Sequence, residues 1–286
     1  MKEIFVRTAL RSGAKRIPLG LGFAIALTLL HSNASANPTM VNLGSDTNFA
    51  VLAGSGITST GPTTINGNVG TYPTPAFTTT GSFTLNGVNE TLNTGIMTTA
   101  KSDLTTAFTD AAGRAATMSY SGAEDLTGLT LLPGVYDAPV SMALTGTLTL
   151  NGNGASDGVW IFQTGSTLTT GSGTGATVIL ENGAQACHVF WEVGQSATLG
   201  VDTTFVGNVL ALTSITADTG TTVNGRLLAE NGAVTLDNNT ITASFCSTAG
   251  GGGGPSVPDT GRTLLLLGSA LAILLAFGRR LAVFPR

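Results

Sequence analysis

The sequence predicts a mainly β protein, a three-faced β-solenoid with one long α-helix packed along one face. Two observations predict it: a Thr-rich phrase that recurs at solenoid spacing, and one segment whose apolar residues step by three and four instead of two. The phrase "SITADTGTTVNG", residues 214–225, has a near copy in "GITSTGPTTING", residues 56–67. In register, the later chain reads "SATLGVDTTFVGNVLA", "SITADTGTTVNGRLLA" and "AVTLDNNTITAS", with a step of 18 residues between the first two copies. Each copy holds an alternating run, a corner of Gly, Asp or Asn, a second alternating run, another corner and a third, more apolar run. Alternation with period two marks half-buried strands, and Gly, Asn and Asp mark their turns. Three short strands per repeat, each stacked on the next repeat, build a three-faced solenoid.

At an offset of 158 residues, Val51, Leu52, Ala53, Ile57, Thr58, Thr63, Thr64, Asn66 and Gly67 fall on identical or similar residues of the later copy. The N-terminal segment therefore contributes a coil to the same body. In "GIMTTAKSDLTTAFTDAAGR", residues 95–114, Met97, Ala100, Leu104, Ala107, Phe108 and Ala111 recur at helical spacing, which predicts an amphipathic helix over about 96–113 with its stop at Gly113. The third run of each repeat is apolar on both sides: Trp160 and Phe162, Phe190 and Trp191, Val209 and Leu210, Leu227 and Leu228. A strand buried on both sides needs a cover. The helix is the element with a matching stripe, so it belongs on that face.

Two faces are left for solvent, and parity assigns their outward residues. On the first run Leu148, Leu168, Ala197, Ile215 and Val234 point inward. Outward then are Thr58, Thr147, Thr149, Thr167, Thr169, Ser196, Thr198, Ser214, Thr216, Ala233 and Thr235, all small. On the second run Thr64, Thr177, Thr204, Thr222 and Thr240 point outward, but among bulkier Ile179, Val206 and Asn224. The first face is thus the flatter. Rungs repeat at about 4.8 Å, close to the oxygen spacing of the ice lattice. A β-branched Thr has few χ1 rotamers to lose on binding a crystal. Its methyl orders water and its hydroxyl can join that water by hydrogen bonds. The first face is therefore expected to adsorb to an ice surface, with the second face as the alternative.

Composition agrees with such a surface. Charged residues are 10 % of the chain, against about 25 % in ordinary soluble domains, and Thr, Ser, Asn and Gly take their place. Between Asn37 and Ser256 stand Lys101, Arg114 and Arg226 against fourteen acidic residues, a net charge of −11. Nucleic acid is excluded as a partner, because binding it needs a basic footprint. An enzyme on this scaffold would need clustered acids, bases or calcium in a groove. The candidates His188, Glu192, Asp202, Glu124 and Asp125 form no such set in the sequence, so no catalytic residue, metal or cofactor is expected. Cys187 and Cys246 can pair in an oxidising compartment, but their rungs are not obviously adjacent in the repeat, and the pairing stays open.

Both ends read as addresses. Residues 1–36 carry basic residues, the apolar run "IPLGLGFAIALTLL" and "ASA" before Asn37, the pattern of a cleaved secretory signal peptide. Residues 250–256 are a Gly-rich linker. In 257–286 the motif Val257, Pro258, Asp259, Thr260 and Gly261 precedes the apolar "TLLLLGSALAILLAF" and a basic "GRR". This arrangement resembles the bacterial sorting signals of the PEP-CTERM and VPDSG class, with Thr260 where the motif has Ser. The resemblance implies an exosortase-like processing enzyme as a partner, membrane contact only through that C-terminal helix, and an exported protein at a bacterial surface.

Between the two ends lies a single domain, residues 37–249, which from about Leu43 to Cys246 resembles the large bacterial and fungal ice-binding protein family. The resemblance is carried by "FAVLAGSGITSTGPTTINGNVG" (49–70), "AKSDLTTAFTDAAGR" (100–114), "LTGLTLLPGVY" (126–136), "GVWIFQTGSTLTT" (158–170), "NGAQACHVFWEVGQSATLG" (182–200) and "VNGRLLAENGAVTLDNNTIT" (223–242). It implies a discontinuous, right-handed solenoid flanked by one helix, and an ice-binding surface on one flat face. The family's loose Thr-Ala/Gly-X-Thr/Asn motifs match at Thr60 to Thr63, Thr164 to Thr167, Thr174 to Thr177, Thr216 to Thr219 and Thr219 to Thr222, scattered over corners. That weak repetition implies moderate activity. A cell-surface adhesin or matrix protein without ice activity is the rival expectation.

Overall fold

The structure, a computed structural model, describes residues 37–171 and 175–246. The expected signal peptide, linker and sorting motif Val257 to Gly261 lie outside the described residues. All sheet pairing is parallel, in two sheets. The eight-stranded sheet forms the first face. It runs in the order Phe77–Thr80, Gly56–Thr60, Ala233–Asp237, Ile215–Ala217, Ala197–Leu199, Leu168–Thr170, Met142–Leu144, Glu124–Asp125. The chain's first rung thus stacks on its last, with Ile57 beside Val234, which is the expected discontinuity. The fourteen-stranded sheet supplies the other two faces.

Strands Thr204–Ala211 and Thr222–Ala229 pass through the corner between those two faces at Gly207 and Gly225, whose φ angles are 116° and 156°. A Cβ on Gly225 would lie 1.8 Å from the Gly207 carbonyl oxygen. Only glycine lets consecutive rungs close up there.

Inside, alternate residues of each rung meet their counterparts in the next. Tyr136, Phe162 and Trp191 are consecutive partners in register. Their rings stack at centroid separations of 5.5 and 4.0 Å, and Phe205 meets Trp191 at 5.1 Å. The buried indoles keep their donors satisfied: Trp160 Nε1–H donates to the Leu131 carbonyl at 3.1 Å and Trp191 Nε1–H to the Val206 carbonyl at 3.0 Å.

The helix spans Thr94–Ala112, with Asn93 as its N-cap and Gly113 as its C-cap. Its length of about 28 Å, from a rise of roughly 1.5 Å per residue, matches about six rung spacings of roughly 4.8 Å. The chain must travel seven spacings from the Asn68–Thr71 rung to the far end, where Met118–Ser119 begins the run back, so the helix covers most of that distance and its flanking residues the rest. Met97, Ala100, Leu104, Ala107 and Ala111 are buried against Leu52, Leu228, Leu210, Phe190, Ile161 and Val135 of the third-face strands. Phe108 is only partly buried at the seam's edge. Gln163 reaches up from the solenoid and its Nε2 donates to the carbonyls of Ala111, Ala112 and Arg114 at 2.7, 3.2 and 2.9 Å. A rung side chain thereby caps carbonyls that a helix C-terminus leaves unsatisfied.

Cys187 and Cys246 form a disulfide with a Cα separation of 5.4 Å. The repeat hides their proximity because the turn Ala186–His188 departs from it, packing over the strands of the next two rungs and meeting the chain where it leaves Thr240–Thr242.

Two stability effects follow. Leu104→Ala, at a fully buried seam position, should lower the unfolding free energy by roughly 2–5 kcal/mol in a denaturant titration; a loss within error would mean that the helix does not dock as described. Cys246→Ser opens a 59-residue separation and should cost about 4 kcal/mol on the loop-entropy model. A midpoint unmoved by the substitution or by reductant would show that packing alone holds the exit segment.

Candidate functional site

Register turns single residues into columns. On the first face Thr78, Thr58, Thr235, Thr216, Thr198 and Thr169 are successive partners, followed by Ala143 and Asp125. Thr78, Thr58, Thr235 and Thr169 are exposed; Thr216 and Thr198 are half-buried. Among the described residues none of the six hydroxyls is hydrogen-bonded within the protein. Two positions earlier along each strand, roughly 6.6 Å away, runs a second column of Gly56, Ala233, Ser214, Ser196 and Thr167. In it the Ser196 hydroxyl accepts the Ser214 N–H at 3.3 Å. The two columns together make a surface of small residues, Thr, Ser, Ala and Gly.

Carboxylates stand at the margins of this face. Asp237 accepts from the Thr60 hydroxyl at 3.0 Å and from the Thr219 hydroxyl. At the far end Asp125 accepts from the hydroxyls of Thr127 and Thr145 at 2.6 and 2.8 Å. Burial works to raise the Asp125 pKa, but those bonds and the backbone N–H groups of the same two residues outweigh it and hold the group below its ordinary value.

Thr147 and Thr149 are not on the first face. Their strand, Thr147–Asn151, pairs with Thr177–Glu181, so Thr147 stands beside Thr177 and Thr149 beside Ile179 on the second face. Leu148 still points inward, from that face. The first-face strand of this rung is Met142–Leu144, and its outward residue is Ala143. Both "MAL" and "TLTLN" alternate, so parity separates inside from outside but does not say which side of the Thr145–Gly146 corner a run occupies. The expectation that Thr147 and Thr149 extend the first face is corrected accordingly: its Thr column ends at Thr169, with Ala143 in the next rung.

The correction lengthens the second face's column. Thr84, Thr64, Thr240, Thr222, Thr204, Thr177 and Thr147 are successive partners without a break. Beside it runs a rougher column of Asn86, Asn66, Thr242, Asn224, Val206, Ile179 and Thr149. Its amides are partly spent on each other, Asn86 Nδ2 donating to Asn66 Oδ1 at 2.8 Å and Asn66 Nδ2 to the Thr242 hydroxyl at 2.9 Å. Val206 is buried under the Ala186–His188 turn, whereas Ile179 is 39 % exposed.

Sequence reading missed Thr78 and Thr84. A signal was present: "FTTTGSFTLN" (77–86) repeats "ITSTGPTTIN" (57–66) at an offset of 20 residues, with Phe in place of Ile57 and Thr63.

The residues weighed for catalysis are dispersed. Glu124 and Asp125 end the first sheet, and Asp202 sits at a corner with φ of 56°. His188 closes the Ala186–His188 turn, its pKa lowered by burial. Glu192 faces the helix seam beside Gln163 and Leu210, where burial pushes its pKa up to about 7. These are structural environments on four different elements. The Cys187 and Cys246 sulfurs beside His188 are bonded to each other.

Residues 51–242 match the family model described as Ice-binding-like. An ice-binding protein of Nostoc sp. (strain HG1) is 42 % identical over 244 residues, covering 83 % of this chain and 87 % of that one. One from Colwellia sp. is 38 % identical over 240 residues, covering 79 % and 91 %. Among solved structures, an ice-binding protein from an Antarctic biological consortium superposes with a TM-score of 0.64 at 42 % identity, covering 72 % of this chain and 91 % of that one. A domain of Shewanella frigidimarina ice-binding protein 1 superposes with a TM-score of 0.63 at 29 % identity, covering 73 % and 99 %. A parallel-stranded solenoid with one flanking helix, matched at this identity over most of its length, places the chain in the ice-binding-like family.

Proposed function

We propose that this protein adsorbs to ice through its eight-stranded face and so restrains ice growth and recrystallisation, without enzymatic activity. The observation that carries the reading is the column of six Thr in register on that face. The column is flanked on one side by Gly, Ala, Ser and Thr, its hydroxyls are unspent, and Asp237 and Asp125 at the margins are held by Thr hydroxyls. Repeats of roughly 4.8 Å across the rungs and 6.6 Å along them set a two-dimensional lattice of methyls and hydroxyls on which ordered water can form before it joins a crystal. The relatives named as ice-binding proteins support the same reading. The unbroken column of seven Thr supports a second reading, in which the second face binds; Ile179 and the amide ladder make that face less level.

The signal peptide and the sorting motif Val257 to Gly261 support export and display at a bacterial surface after processing by an exosortase-like enzyme. Displayed there, an ice-adsorbing face would also hold a cell to ice.

The test is recrystallisation inhibition, with crystal shape recorded, on Asn37–Ser256 shown to be folded by circular dichroism. Inhibition and faceting are expected; crystals that coarsen as in buffer would leave surface adhesion as the function. Thr216→Tyr and Thr222→Tyr then separate the faces. Tyr at position 216 removes the Thr216 methyl, and its ring holds off those of the neighbours Thr198 and Thr235. At about 0.8 kcal/mol for each buried methyl, roughly tenfold or more protein should be needed for equal inhibition, while Thr222→Tyr changes little. The reverse ranking would assign the second face.

A further inference from the structure

Before the first rung the chain forms a strap along the edge of the helix seam, burying Val41 and Leu43 with Leu104 and Phe190 of that seam. The strap ends in the 3-10 turn Gly44–Asn48. Gly44 has φ of 51°, and a Cβ there would lie 2.5 Å from Asp103 Oδ2, so the turn sits directly on the helix. Its residues are pinned on both sides. The Ser45 N–H and hydroxyl donate to Asp103 Oδ2 at 2.8 and 2.6 Å, and Arg226 Nη2 donates to the Thr47 carbonyl at 2.6 Å.

Between these pins lies Asp46, with no exposed surface and neither carboxylate oxygen hydrogen-bonded among the described residues. The charged groups facing it are Lys101 and Asp103 from the helix, and Arg226 and Glu230 from the third-face strand and the residue after it. These four already balance. Lys101 Nζ lies 3.6 Å from Glu230 Oε2 and donates to the Ala229 carbonyl at 3.0 Å, Asp103 is taken up by Ser45, and the Arg226 Nη groups donate to Thr47 and to Asn208 Oδ1 at 2.8 Å, while its Nε has no partner among the described residues. Asp46 is a third acid beside two cations, with no donor of its own. With those cations in place, a proton neutralises it. Burial, reinforced by Asp103 and Glu230 and opposed by Lys101 and Arg226, raises its pKa to about 8.

We propose that Asp46 is a proton-dependent latch: neutral, it lets the strap close over the helix seam, and ionised, it drives the Gly44–Asn48 turn outward and loosens Val41 and Leu43 from the helix. The closed strap keeps its proton up to about pH 8, whereas in the open strap the carboxyl ionises above its ordinary value of 3.8. Closure is therefore favoured at acidic pH and weakens as pH rises between those values. The opening equilibrium should rise by up to about tenfold per pH unit, levelling off above pH 8.

The experiment is amide hydrogen exchange of the full-length protein from pH 5.5 to 8.5, each rate divided by that of the unstructured peptide at the same pH. Strands Thr204–Ala211 and Val189–Val193 serve as internal references; the second carries Glu192, whose pKa burial also raises. Protection over residues 39–48 should fall at least about tenfold across this range, more than in either reference, and Asp46→Asn should make it independent of pH. Strap protection that stays level in the unaltered protein, a slope shared equally by the references, or a slope that survives Asp46→Asn would each overturn the latch. The measurement on the unaltered protein decides the matter even where the variant fails to fold.

Discussion

The parallel rung ladder is the constraint on which everything else depends. Its hydrogen bonds hold successive rungs at about 4.8 Å, in register except for one irregularity between Phe49 and Val51, so the chemistry of one position is copied along an axis. An apolar position repeated inside becomes the stack of Tyr136, Phe162 and Trp191. The same repetition on the third face makes a stripe that one helix can cover, and on the other faces it makes columns of Thr. The three surfaces are one periodicity meeting three environments.

The ladder also explains why the helix exists. A solenoid whose first coils stack on its last must carry the chain back to the far end, and an extended strand lying on the third-face strands would leave its backbone groups buried without partners. A helix satisfies its own backbone and buries one side. Its remaining polar demands are met locally, by Asn93 at one end and Gln163 at the other. Where the seam meets the N-terminal strap, Lys101 pairs with Glu230, Ser45 binds Asp103 and Arg226 binds Thr47, and Asp46 is the acid with neither oxygen hydrogen-bonded among the described residues.

Most of this architecture is legible in the sequence, because period two and period 3.6 are physically different signals. The solenoid, its helix, the inward residues and the membership of the N-terminal coil in the same body could all be read from spacing. Face assignment is harder. Thr147 and Thr149 satisfy alternation on either side of the Gly146 corner, and only pairing with Thr177 and Ile179 decides it. The rung at Phe77–Asn86 was overlooked because Phe occupies positions filled elsewhere by Ile or Thr. The Cys187–Cys246 bridge escaped for a different reason: the turn that carries Cys187 leaves the repeat to lie across two other rungs, and an irregular excursion has no period to read.

A Thr column serves stability and recognition by the same properties. β-Branching suits Thr to a strand and leaves few rotamers to lose, whether the neighbour is the next rung or a crystal. Both open faces therefore carry such a column, and the column by itself does not say which face binds. The deciding features are the residues beside it. On the first face they are too small to rise above the Thr methyls, and carboxylates at the edge are held by Thr60, Thr127, Thr145 and Thr219. On the second face Ile179 stands proud and Asn side chains bond each other in preference to water. A lattice of water needs a level and weakly hydrated template, and that requirement, more than the number of Thr in line, is the ground for proposing the eight-stranded face.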